Sequence, residues 1–127
     1  MQTRDDAREQ LCRKVQYWSQ RLHAEPRIIR VQRMTRKWGS CSTTGIITLA
    51  EDLIEQDPGF QDFVIAHELL HLRVPTHGRL FQALMSLHLP NWRAFDVSRR
   101  TRFYGGRRGS HRLRSPYPLP PAGRGRG

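Results

Sequence analysis

The most restrictive feature of this sequence is a continuous apolar run that carries the pattern H-E-x-x-H. The run follows Asp57 and Pro58, a helix N-cap residue and a proline suited to the first helical position. Pro75 ends it, because proline removes a backbone donor and disfavours helical dihedrals at the residue before it. Residues 60–72 are apolar almost all round, which is typical of a buried helix. We therefore predict a buried helix from residue 58 to about residue 72.

The motif His67-Glu68-Leu69-Leu70-His71 places ionisable groups on this buried helix. Positions four apart share one helix face, so the imidazoles of His67 and His71 can meet a single ion. Glu68 lies about 100° around the helix, within reach of a water on that ion without binding the ion itself. Burying these groups without partners costs several kcal/mol, and a cation supplies the missing charge. The alternative is a His–Glu–His cluster satisfied by internal hydrogen bonds.

A catalytic zinc ion needs a third protein ligand and an open position for water. His77 is well placed, because the break at Pro75 turns the chain back toward the first helix. We therefore predict a Zn²⁺ site formed by His67, His71 and His77. Glu68 is the predicted general base, taking a proton from the attacking water and passing it to the leaving amine.

Three further helices are predicted outside the motif. Residues 5–22 show apolar side chains at three- and four-residue steps. These are Ala7, Leu11, Val15, Trp18 and Leu22. Thr76 can cap a helix that extends to about residue 87, and a short helix is predicted at 93–103. The core side of the second of these helices is predicted to carry Leu80, Phe81, Leu84 and Leu87.

A β-hairpin is predicted between the first helix and the motif. Residues 27–37 and 46–49 favour strands, and residues 38–45 are rich in turn formers. The stretch Trp38–Cys41 either offers a strand edge to which an extended peptide can add or forms a simple packed corner.

The positive charge of the chain lies mostly at its C-terminal end. The formal net charge is +11, yet residues 97–127 hold nine arginines and no acidic residue, which leaves residues 1–96 close to neutral. Residues 105–127 contain almost nothing that can pack. We predict a folded domain at 1–104 followed by a disordered basic tail at 105–127, with nucleic acid as a possible partner of the tail.

The remaining sequence features indicate a protein of the reducing cytoplasm with no membrane span. No apolar stretch approaches the length of a membrane-spanning helix, and the polar N-terminus does not resemble a signal peptide. Cys12 and Cys41 are far apart and form no C-x-x-C pair. Cys41 is either an inert thiol or a group that approaches the metal as a fourth ligand or redox sensor.

Several separated motifs resemble the YgjP-like metal-dependent hydrolases, relatives of the WLM and SprT-like metallopeptidases. They are Arg36-Lys37-Trp38-Gly39-Ser40-Cys41, Gly45-Ile46-Ile47-Thr48-Leu49, the H-E-x-x-H helix and His77. The resemblance covers roughly residues 27–95. It implies a zincin-like α+β fold, with a small twisted sheet packed against the active-site helix and flanking helices. It also implies the metal ligands His67, His71 and His77, although Ala50 stands where members usually carry asparagine.

The leading functional hypothesis is a zinc-dependent metallopeptidase that cleaves amide bonds in peptide or protein substrates. Tyr104, His88 and Arg73 are candidates for stabilising the oxyanion. The alternatives are a nucleic-acid-binding module with a structural zinc and a basic tail, a DNA-associated protease of the SprT type, and a metal-bound relative without activity.

Overall fold

The structure is a computed structural model, and it describes residues 4–96. In chain order the elements are α1 (Arg4–Leu22), β1 (Ile28–Gln32), β2 (Gly39–Cys41), β3 (Ile46–Ala50), a 3₁₀ helix (Glu51–Glu55), α2 (Pro58–Leu70) and α3 (Arg79–His88). Residues 92–96 are helical as well. The fold is α+β, as predicted, with a small mixed sheet and several helices. The predicted tail at 105–127 and most of the predicted helix at 93–103 lie outside the described residues.

The three strands are arranged in the order β1-β3-β2, which corrects the predicted hairpin. β1 pairs in parallel with β3, so residues 27–37 are not the hairpin partner of residues 46–49. The hairpin is instead β2–β3, with Gly39 opposite Leu49. Its turn uses Gly45 at a φ of 95°, which glycine adopts without strain. The short strand β2 thus lies inside the stretch that the turn-forming composition had marked as a loop.

Helix α1 forms where the apolar spacing predicts it. Its five predicted core side chains are all at most 5% exposed. The helix ends at Leu22, after which His23 adopts a left-handed conformation with φ of 53°. The Arg73 guanidinium donates to the Leu22 carbonyl oxygen at 2.8 Å and so satisfies one of the last acceptors of the helix.

A buried polar cluster joins α1 to α2. Asp62 on α2 is 6% exposed, and its Oδ1 accepts hydrogen bonds from Trp18 Nε1 at 3.0 Å and from Lys14 Nζ at 3.2 Å. Both donors would be left without this acceptor if the carboxylate were removed. The cluster fixes the position of α2, five residues before His67.

Replacing Asp62 by alanine is expected to lower the free energy of unfolding by about 2–4 kcal/mol, because it leaves the buried Trp18 N–H without an acceptor and the Lys14 ammonium without its counterion. Glu9→Ala is the matched control, since the Glu9–Arg13 pair is more than half exposed on both sides. That control should change the free energy by less than about 0.5 kcal/mol. Urea unfolding of the metal-free proteins measures both values. Equal losses in the two variants would contradict a structural role for the buried cluster.

Helix α2 is the central element of the fold. The Asp57 carboxylate accepts from the Gly59 backbone N–H at 3.1 Å, as the predicted N-cap requires. Every residue from Gly59 to Leu70 is buried, so the helix is enclosed on all sides. Regular helix stops at Leu70, two residues before the predicted end, and turns continue to Arg73.

The helix α3 begins later than predicted and shows a different face to the core. It starts at Arg79 after Gly78, so the predicted cap at Thr76 is wrong. Phe81 and Met85 are each 1% exposed, whereas Leu80 is 59% and Leu87 is 72% exposed. The prediction that Leu80 and Leu87 belong to the core is therefore wrong. Within residues 4–96, no helix has the length and apolarity needed to cross a membrane.

Candidate metal centre

The structure brings the three predicted ligand side chains together. His67 and His71 lie one turn apart on α2, with ring centroids 4.8 Å apart. His77 follows the turn after α2, and its ring centroid lies 5.1 Å from that of His67 and 4.6 Å from that of His71. The turn is held by the Val74 N–H, which donates to the Leu70 carbonyl oxygen at 2.8 Å. Local backbone geometry therefore returns His77 to the helix face that carries the other two imidazoles.

The donor set fits a single metal ion. One ring nitrogen from each of His67, His71 and His77 lies within 4.8 Å of the others. His71 Nε2 and His77 Nε2 are 2.8 Å apart, a hydrogen-bond distance that needs a proton on one of the two nitrogens. Tetrahedral zinc with bonds of about 2.0–2.1 Å has ligand nitrogens about 3.3 Å apart, so the rings need only small shifts.

The three imidazoles differ in their burial. His67 is 4% exposed, His71 is half-buried and His77 is exposed. Burial lowers the pKa of His71 below 6.5, and the neighbouring His67 lowers it further, while Glu68 opposes the shift. At neutral pH the His71 ring is therefore uncharged and has a lone pair available for a cation.

The carboxylate of Glu68 lies beside this triad at the bottom of a cleft. Glu68 is 7% exposed, and its Oε2 lies 3.3 Å from His67 Nδ1. The cleft has a volume of about 430 Å³. Its lining residues are Arg36, Lys37, Trp38, Gly39, Ser40, Cys41, His67, Glu68, His71 and His77. One wall is thus the segment around β2, and the other is the face of α2 that carries the histidines.

Comparison with known families agrees with this geometry. The YgjP-like metallopeptidase domain matches residues 2–98. The chain belongs to the YgjP-like family. No curated protein matches the chain. Membership makes this a metallopeptidase-type domain of the hydrolase class, for which a metal ion is implied, and the three-histidine group is able to hold one.

In this YgjP-like domain a single aromatic ring packs against all three imidazoles. The Phe81 centroid lies 5.4 Å from that of His67, 4.9 Å from that of His71 and 4.7 Å from that of His77. Phe81 is 1% exposed, so it has little room to move. The ring restricts the rotamers of the imidazoles from the protein side and leaves their other side to the cleft.

A glycine on β2 makes space for the carboxylate of the YgjP-like site. A Cβ atom added at Gly39 would lie 3.1 Å from Glu68 Cγ, 3.2 Å from Val64 Cγ1 and 3.3 Å from Leu49 Cδ2. These distances are shorter than ordinary van der Waals contacts, so a side chain at Gly39 must displace Glu68 or its neighbours.

Replacing Gly39 by alanine is expected to lower the rate of any reaction that uses Glu68 about tenfold, because small displacements of a catalytic group are costly. Bound zinc should remain at the wild-type level, since no histidine ligand touches Gly39 in the close contacts above. Gly78→Ala is the matched control, because a Cβ added at Gly78 would lie 3.8 Å from its nearest neighbour, Thr76 Oγ1. Gly59→Ala would not serve, because Gly59 is buried. Steady-state kinetics and metal analysis test the prediction. An unchanged rate in Gly39→Ala would show that Glu68 tolerates the displacement.

Several sequence predictions for the rim of the site need correction. Arg73 is engaged with the end of α1, and neither Arg73 nor His88 lines the cleft, so the structure does not favour them as oxyanion donors. Tyr104 lies outside the described residues. Cys41 lines the cleft but does not belong to the metal-binding group. Burial, followed by the charge of Glu68, raises the pKa of the Cys41 thiol, which favours the inert thiol.

Sequence reasoning assigned no role to the two basic residues before Trp38. Arg36 and Lys37 line the cleft and are exposed. In the sequence they stand out only as part of the motif Arg36–Cys41. Their proximity to Glu68 depends on the pairing of β2 with β3, which local sequence patterns do not specify.

Proposed function

We propose that this chain is a zinc-dependent metallopeptidase in which His67, His71 and His77 hold the metal and Glu68 is the general base. The single observation that carries the proposal is the meeting of three imidazoles and one buried carboxylate in one open cleft. Three imidazole ligands suit zinc, whereas magnesium and calcium prefer oxygen ligands. A purely structural site would have no use for a carboxylate that does not bind the metal.

Zinc, when bound, supplies a Lewis acid that acidifies a water molecule and polarises the scissile carbonyl. The Glu68 carboxylate takes a proton from the attacking water and later delivers it to the leaving nitrogen. Gly39 lies against the Glu68 stem, since an added Cβ would be 3.1 Å from Glu68 Cγ, and so leaves the carboxylate its position. Phe81 holds the three imidazoles in one orientation.

The edge of the sheet provides a binding surface for an extended substrate. β2 is an edge strand, and within the described part of the chain it pairs only with β3. Trp38, Gly39, Ser40 and Cys41 all line the cleft. A peptide that pairs with the outer edge of β2 would present its backbone carbonyls to the cleft, with main-chain hydrogen bonds independent of its side chains.

Digestion of a proteome-derived peptide library tests this proposal. Mass spectrometry of new termini should show cleavage by protein purified without added metal, and about one equivalent of zinc should accompany that protein. A chelator should abolish cleavage, and zinc should restore it while magnesium should not. Cleavage that persists in the presence of a chelator, or a zinc content far below one equivalent, would contradict the proposal.

As a second proposal, residues 105–127 form a tail that binds nucleic acid. The folded domain is proposed to end at residue 104. The support for the tail is compositional, since residues 97–127 contain nine arginines and no acidic residue. We expect truncation at Gly105 to abolish a salt-sensitive affinity for DNA or RNA, whereas Glu68→Gln should leave it intact. Such a tail would allow this protein to act on proteins bound to nucleic acid.

The cytoplasmic location also remains a proposal, which the free thiols of Cys12 and Cys41 support.

A further inference from the structure

The mouth of the cleft is positively charged. Arg36 and Lys37 line it and are both exposed to solvent. Among the described residues that line the cleft, Glu68 is the one carboxylate, and it lies buried beside the histidines. A divalent cation on the three imidazoles would more than offset the charge of Glu68. With that ion bound, a substrate would approach through a region whose potential is positive at the rim and at the floor.

The charge of Lys37 is available to a ligand. Lys37 makes no hydrogen bond or ion pair within residues 4–96, whereas Arg36 already has an interaction of its own. An ammonium group at the exposed rim stays partly hydrated when it pairs with an anion, so the desolvation cost of that pair is small. Lys37 is consequently a better candidate than Arg36 for binding a negatively charged group of a substrate.

The position of Lys37 in the chain fixes which part of a substrate it can reach. Lys37 is two residues before Gly39, whose added Cβ would touch the Glu68 stem. Two residues span at most about 7 Å, and the lysine side chain adds several ångströms more. For a peptide lying along β2, the ammonium group reaches a side chain within two or three positions of the scissile bond.

We propose that the cleft selects peptides that carry aspartate or glutamate close to the scissile bond, with Lys37 as the specificity-determining residue. This inference rests on the proposed peptidase function and names its substrate class. Exposed ion pairs are weak, so we expect a preference of about three- to tenfold in kcat/KM for an acidic peptide over its amide counterpart. The preference should decline as salt is raised, because the rim is exposed to screening.

Charge-reversed variants test the proposal in the full chain. The library digest should show acidic residues enriched near the cut sites of the wild type. Lys37→Glu should lose that enrichment while still holding about one equivalent of zinc. Arg33→Glu is the matched control, because Arg33 is an exposed basic residue four positions earlier that does not line the cleft. It should keep the wild-type preference. Cleavage by the wild type without enrichment of acidic residues near the cut sites, or equal loss in both variants, would overturn the proposal.

Binding separates this inference from failure of the peptidase proposal. The probes are two rhodamine-labelled nonapeptides that differ only in a central Glu-Glu or Gln-Gln pair, measured by anisotropy with zinc-loaded Glu68→Gln protein. The acidic probe should bind about three- to tenfold more tightly, and Lys37→Glu in that background should remove the difference. If the library is not cleaved but the acidic probe is preferred, the peptidase proposal fails and the charge selection stands. If the two probes bind equally, charge selection by the cleft is wrong.

Discussion

Replacing Glu68 by glutamine is expected to lower kcat about 10²- to 10⁴-fold while leaving the bound zinc unchanged. General base catalysis contributes a factor of this size, and an amide oxygen cannot hold the proton that a carboxylate takes from water. Glutamine has nearly the same shape, so it should fit the space that Gly39 leaves for the stem. KM should change little, because the lost interaction belongs to the transition state rather than to substrate binding.

The control for this variant is Glu55→Gln, which makes the same chemical change at an exposed position on the 3₁₀ helix. Its kcat should equal that of the wild type. Metal analysis distinguishes two results that would contradict the role of Glu68 as general base. Retained activity within about threefold of the wild type would exclude Glu68 as the base. Loss of zinc together with activity would instead make Glu68 a ligand, which its 3.3 Å contact with His67 Nδ1 does not suggest.

The helices around the site were predictable because their signals are local. The spacing of apolar residues in α1 reports which side chains face the core, and all five are buried. The start of α2 follows from the chemistry of Asp57 and Pro58, and the burial of α2 follows from its apolar composition. The meeting of His67 and His71 likewise needs only helical geometry.

The sheet was not predictable in the same way, because strand pairing is not local. The prediction paired the two stretches nearest to the turn formers, yet β1 pairs in parallel with β3 while β2 takes the antiparallel edge. A three-residue strand such as β2 leaves too short a pattern to distinguish it from a turn. The cleft wall, with Arg36 and Lys37 on it, depends on that pairing and was therefore missed.

The face of α3 was mispredicted for a related reason. Leu80, Phe81, Leu84 and Leu87 form a reasonable amphipathic stripe in sequence, but the tertiary fold rotates the helix so that Phe81 and Met85 face inward. In this orientation Phe81 packs on the imidazoles of the candidate metal centre. Which face of α3 turns inward thus depends on tertiary contacts, and the spacing of apolar residues within the helix does not encode those contacts.

Replacing His77 by alanine is expected to lower zinc affinity at least about 100-fold with little effect on the metal-free fold. His77 is exposed and lies outside both α2 and α3, so its removal leaves no buried cavity. Two imidazoles remain, one fewer than a catalytic zinc site requires. His67→Ala should lose zinc as well, but it should also destabilise the metal-free protein because His67 is 4% exposed and packs against Phe63 and Phe81.

Thermal unfolding with and without zinc separates the loss of zinc affinity from the loss of stability of the metal-free fold. A 100-fold loss of affinity removes about 2.7 kcal/mol of zinc-dependent stabilisation at saturating metal, which corresponds to roughly 10–20 °C in Tm for a domain of this size. In chelator, His77→Ala should therefore have the same Tm as the metal-free wild type, and the rise of its Tm with zinc should be smaller than that of the wild type by this amount. His23→Asn removes an exposed imidazole while tolerating the left-handed backbone at that position, so it should keep the full zinc response. A full zinc response in His77→Ala would mean that the third ligand comes from elsewhere, and the site would then have to be assigned without the turn that follows α2.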